Sequence, residues 1–110
     1  MNLSLEVYGF GSAFYGHKTA EDVDLLIVHE NTGIASCAFA IQCKQKLISG
    51  IPNAHVTMLS KSEEAKLYFV KIARAFRIGT VQDSYLQRDL EDLFGVIADR
   101  RQHNGFDLQE

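Results

Sequence analysis

Gly9-Phe10-Gly11-Ser12-Ala13-Phe14-Tyr15-Gly16, then Asp22-Val23-Asp24 and the apolar run Leu25-Leu26-Ile27-Val28, set the architecture of this chain. Ahead of the glycines, Leu3, Leu5 and Val7 alternate with Ser4 and Glu6, the period of a half-buried strand over Leu3 to Tyr8. Ser12 to Tyr15 suits a first helical turn and Gly16 to Glu21 a polar loop. Val23 to His29 is then a strand whose continuous apolar character suits a central place in a sheet. Successive strand side chains point to opposite faces, so Asp22 and Asp24 share a face with Cα atoms roughly 6.5 to 7 Å apart. Two such carboxylates can hold metal ions about 4 Å apart. The small-residue turn just upstream offers backbone N–H groups and the Ser12 hydroxyl to a polyphosphate.

Outward from this stretch, Thr32 to Ser49 carries Ile34, Ala35, Ala38, Phe39, Ile41 and Leu47 at helical spacing, with Gly50 and Pro52 to end the helix. Ala54 to Leu59 reads as a third strand. Ser60 and Glu63 make a capping-box pattern that opens a helix expected to run to about Phe76, with Ala65, Phe69, Ile72, Ala73 and Phe76 inward. Ile78-Gly79-Thr80 reads as a turn, after which Ser84 is a candidate cap for a last helix over 84–102 bearing Leu86, Leu90, Leu93 and Ile97. That stripe suits packing on the chain's own core or an interface with a partner. From Gln102 a frayed tail is expected.

The expected fold is α+β, a two-layer arrangement with a mixed sheet of three or more strands against helices, in a single domain over 1–110. A chain of 110 residues can bury one modest core without disulfides. The net charge of −3 lacks the basic excess that sequence-independent nucleic-acid binding requires, so nucleic acid is not the expected partner. No apolar run approaches a membrane span and the start, Met1-Asn2-Leu3-Ser4, does not resemble a signal peptide, so a cytoplasmic location is expected. Cys37 and Cys43 match neither a zinc nor a redox spacing and are expected to be buried reduced thiols.

Two common phosphate-binding patterns fail. In the P-loop pattern Gly11 and Gly16 have the right gap, but His17 intervenes before Lys18-Thr19. The dinucleotide fingerprint wants a third glycine where Phe14 stands. A third pattern, Gly-Ser, a loop with a further glycine, then Asp-x-Asp on the next strand, fits throughout. Gly11-Ser12, Gly16 and Asp22-Val23-Asp24-Leu25 resemble the signature of the nucleotidyltransferase superfamily that includes DNA polymerase β, above all its minimal single-domain members. The signature spans roughly residues 7 to 28, and the order of elements to about residue 76 is similar to the family core.

The resemblance implies that Gly11, Ser12 and Gly16 bind a nucleoside triphosphate, and that Asp22 and Asp24 bind two Mg²⁺ ions; His17 and Lys18, loop cations by position, either touch its phosphates or base or face only solvent. The implied reaction passes a nucleoside monophosphate to a hydroxyl of a protein or small molecule. Minimal members are often paired with a helical partner protein, some as antitoxins, so a helical partner or a homo-oligomer is also implied. Active members commonly bring a third carboxylate from a neighbouring strand. Here Ala54 to Leu59 has none, and His55 aligns there, either as a catalytic base or as a plain strand-surface histidine. Glu63 is better explained as a capping residue. Arg74 and Arg77 are placed either to reach a triphosphate or to snorkel at a helix end. Loss of the third carboxylate also admits a catalytically degenerate module that serves partner binding or oligomerisation.

Overall fold

The computed structural model describes residues 2–15 and 22–107, with side chains to residue 100. The fold is α+β, with four strands in one mixed sheet packed against helices. The strands are β1 (Ser4–Phe10), β2 (Val23–His29), β3 (Ala54–Ser60) and β4 (Phe76–Gln82), in spatial order β3-β2-β1-β4. β1 runs antiparallel to both β2 and β4, while β2 and β3 are parallel. The parallel pair needs a crossover. Helix α1 (Ile34–Gly50) supplies it.

The apolar run over β2 earns the central place expected of it, for Leu25, Leu26 and Ile27 are all fully buried. Alternation sends Val23, Leu25 and Ile27, with Leu5 and Val7 of β1, to one face. There Phe39, Ala40, Cys43 and Leu47 of α1 meet Leu90, Leu93 and Ile97 of the last helix, α4 (Leu86–Asp107). The leucine stripe of α4 therefore packs on the chain's own core. Cys43 is fully buried and Cys37 only half so, both as free thiols. At the far end of β2 the buried His29 shares a 3.0 Å hydrogen bond between its Nδ1 and Ser36 Oγ, tying strand to helix.

Between β3 and β4 the sequence expectation fails. The capping box forms, with Glu63 N–H donating to Ser60 Oγ at 3.2 Å and Ser60 N–H to Glu63 Oε1 at 2.8 Å. The helix it opens, α2 (Lys61–Leu67), stops at Tyr68, whose φ of 52° is left-handed. One further turn, α3 (Phe69–Ile72), follows, and Arg74 is again left-handed at φ 56°. The stripe from Ala65 to Phe76 is thus split among two short helices and a strand, and Ile72 stays 75% exposed.

The turn expected at Ile78-Gly79-Thr80 is the middle of β4. Gly79 is there for close approach, since a Cβ would stand 2.8 Å from Leu93 Cδ2 of α4. Arg77 is a strand residue that ion-pairs with Glu6 at 3.9 Å, not a cation at a helix end. Ser84 lies in a short 3-10 turn, Asp83–Tyr85, and its hydroxyl donates to Asn2 Oδ1 at 3.1 Å. Helix α4 continues to Asp107, past the point where fraying was expected.

Candidate functional site

The candidate residues gather at the edge of the sheet where β1 ends and β2 and β3 begin. Phe10, the last residue of β1, pairs with Asp24, and Asp24 pairs in turn with His55 of β3. Gly11 and Ser12 follow Phe10 at once, so register alone brings the small-residue turn against the second aspartate. Asp22 precedes β2, which is anchored by Val23 N–H donating to Asn53 C=O at 3.0 Å.

Gly11 is required by two features together. Its φ of 81° is a region that L side chains rarely adopt, and a Cβ there would lie 2.5 Å from Asp24 Oδ2. The backbone of the turn therefore lies directly on the carboxylate. Ser12–Phe14 form one 3-10 turn, closed by Phe14 N–H to Gly11 C=O and Tyr15 N–H to Ser12 C=O, both at 3.2 Å. Ala13 and Phe14 plug into the core, which leaves the Ser12 side chain exposed.

His55 stands beside the aspartates, its Nε2 3.4 Å from Asp22 Oδ1, with both side chains about two-thirds exposed (64% and 65%). Asp22, Asp24 and His55 are thus brought together with Gly11 and Ser12. Gly16 and Lys18, also read as nucleotide-binding, fall outside the described residues. Glu63 is engaged in its capping box, where hydrogen bonds from Ser60 hold its carboxyl below the usual range. Glu64 Oε2 accepts from Val70 N–H at 3.0 Å and bridges the α2–α3 break.

The donor set suits Mg²⁺ in kind. Mg²⁺ prefers oxygen, and is usually held by one or two carboxylates with substrate phosphates and water rather than by a cage made wholly of protein. Two aspartates beside a backbone turn answer that description. Among the described residues no group of three or more His, Cys, Asp or Glu side chains is placed to hold a metal ion.

Sequence reasoning missed what surrounds the turn. Phe14 meets Phe76 edge-on with ring centroids 5.3 Å apart, and Phe10 meets Phe69 in the same way at 5.1 Å. Strand β4 delivers Phe76, and nothing local in the sequence marks a partner some sixty residues away. A separate cavity of about 540 Å³ lies between α1 and α4, lined among others by Gln42, Gln45, Lys46, Gln87 and Phe94. It shares no residue with the site.

In comparisons with protein-family models, curated proteins and solved structures, nothing matches this chain. Among the described residues no helix is long and apolar enough to cross a membrane.

Proposed function

We propose that the chain is a Mg²⁺-dependent nucleotidyltransferase that moves a nucleoside monophosphate from a nucleoside triphosphate to a hydroxyl of a protein or small-molecule acceptor. The observation that carries this reading is the contact between the Gly11-Ser12 turn and Asp24, where a single added carbon would collide with Oδ2. A phosphate bound by the turn lies next to a carboxylate that repels it unless a cation stands between them. Asp22 and Asp24 would hold that cation, which supplies charge neutralisation on the phosphoryl oxygens.

The chain's own residues do the rest. Ser12 and the turn orient the terminal phosphates. The acceptor oxygen bonds to the α-phosphorus, the bond from that phosphorus to the bridging oxygen breaks, and pyrophosphate leaves. His55 is the group at hand for the hydroxyl proton, with Asp22 orienting its ring.

His55 in place of an acid favours a second reading, a catalytically degenerate nucleotidyltransferase fold that serves partner binding or oligomerisation instead of nucleotide chemistry. One experiment separates the two. Each of four nucleoside triphosphates is titrated calorimetrically with Mg²⁺ into wild type, the Asp22→Asn/Asp24→Asn variant and His55→Asp. The expected result is binding that needs both metal and aspartates, and tighter Mg²⁺ binding by His55→Asp; unchanged metal affinity in that variant would show that His55 does not stand where a third carboxylate belongs. A folded wild type that binds no triphosphate overturns the enzyme reading in favour of the second.

A further inference from the structure

Next to the turn stands a group of side chains with no part in the chemistry above. Tyr15 closes the 3-10 turn with its side chain half exposed, while its neighbours Ala13 and Phe14 are the ones that fill the core. Its ring is held from two directions. The edge contact with Phe76 has centroids 6.3 Å apart and planes at 88°, and the phenol hydroxyl donates to the carbonyl of Arg74.

Arginines flank the ring. The Arg74 guanidinium stands over Tyr15 at 6.0 Å from the centroid, the outer limit of a cation–π contact at about 6 Å. Arg100, reaching back from α4, lies over the Phe76 ring at 4.0 Å. Arg74 also holds the left-handed backbone at φ 56°, a conformation a non-glycine residue keeps only at some cost. Two guanidiniums and a fixed half-exposed ring therefore stand beside the Gly11-Ser12 turn in a chain whose net charge is −3.

We propose that the base of the bound nucleotide stacks on the half-exposed face of Tyr15 that Arg74 does not cover, with Arg74 and Arg100 as the cations beside it that reach its phosphates. The inference rests on the nucleotide reading above and adds the part of the site that recognises more than phosphate. A ring already fixed by a hydrogen bond and an edge contact loses little freedom when a base lies on it. Planar guanidiniums that stack on aromatic rings keep their edge N–H groups free for phosphate oxygens. Stacking reads the area of a π-face and not its hydrogen-bonding edge, so purine triphosphates bind more tightly than pyrimidine ones, and adenine and guanine bind alike.

The test is calorimetry with Mg²⁺ present, using ATP, CTP and inorganic tripolyphosphate on wild type, Tyr15→Leu, Tyr15→Phe and Asp24→Asn, each checked for a native melting transition. Tyr15→Leu keeps apolar bulk but no π-face. It should weaken ATP on the order of 10-fold, the size of one base–aromatic stack, and leave tripolyphosphate unchanged. Tyr15→Phe should restore ATP affinity. If ATP binds wild type no better than tripolyphosphate, or binds Tyr15→Leu as well as wild type, the stacking role is overturned while the phosphate site stands. If wild type binds neither ligand, the nucleotide reading falls and this proposal with it.

Discussion

At Gly11 the backbone and a carboxylate leave no room for a side chain, and this sets a sharp expectation for Gly11→Ala. At φ 81° and ψ −175° the backbone is in a region essentially confined to glycine, and a residue with a Cβ there costs on the order of 1 to 3 kcal/mol from the backbone alone. The collision with Asp24 Oδ2 adds to that unless the aspartate moves. Urea unfolding should show Gly11→Ala less stable than wild type by at least that amount, and its triphosphate affinity should fall further than that of Ser12→Ala, which leaves the backbone alone. A Gly11→Ala protein with wild-type stability would refute the packing of turn on carboxylate. These residues were legible in the sequence because Gly11, Ser12, Asp22 and Asp24 lie at the adjoining ends of two consecutive strands, where register does the placing. Tyr15 was not, for its meaning depends on Phe76 and Arg100, which antiparallel pairing of β1 with β4 and the return of α4 bring from far along the chain.

Among the elements, β1, β2, α1 and β3 were legible to within two residues, since β1 and α1 each carry one dominant period while β2 is a continuous apolar run and β3 is bounded by Pro52 and the capping box. The segment from Lys61 to Gln82 was not. Phe69, Ile72 and Phe76 continue a helical stripe on paper, but the chain leaves the helix twice at non-glycine residues, Tyr68 and Arg74, where local sequence gives no warning. Gly79 then disguises β4 as a turn, although it is small because Leu93 lies against it. Glycine in α4 has the opposite sense. Gly95 sits within that helix, exposed, and a Cβ there meets nothing within 4 Å. Gly95→Ala should therefore stabilise the protein by about 1 kcal/mol, the difference in helix propensity. A gain in urea midpoint with unchanged slope would bear this out, whereas a loss would mean that the exposed side of α4 is packed against something. The same substitution at Gly11 and Gly95 thus has opposite signs, set by what each backbone faces.

Across the whole molecule, two groups on opposite faces of the sheet tie stability to alkaline pH. Cys43 projects from α1 into the core, and burial pushes its thiol from an ordinary 9.0 up to about 12. Tyr8 lies on the other face, where burial first, then the hydrogen bond to Glu6 at 2.7 Å and the charge of Glu6, push its phenol from 10.0 up to about 12. In both cases the folded chain holds its proton more tightly than the unfolded chain. The unfolded state loses protons first as pH rises, so the stability these groups contribute is complete below their ordinary values and is lost as pH climbs from 9.0 towards about 12. Urea unfolding across that range should show a steady decline in wild type. Cys43→Ala should be less stable throughout because it leaves a void in the core, yet its decline should start later, since the earliest-titrating of the two groups is gone. Tyr8→Phe should keep the early part of the decline and flatten the later part. Parallel curves for wild type and both variants would mean that neither proton is held by the fold, and that the core around Cys43 admits water.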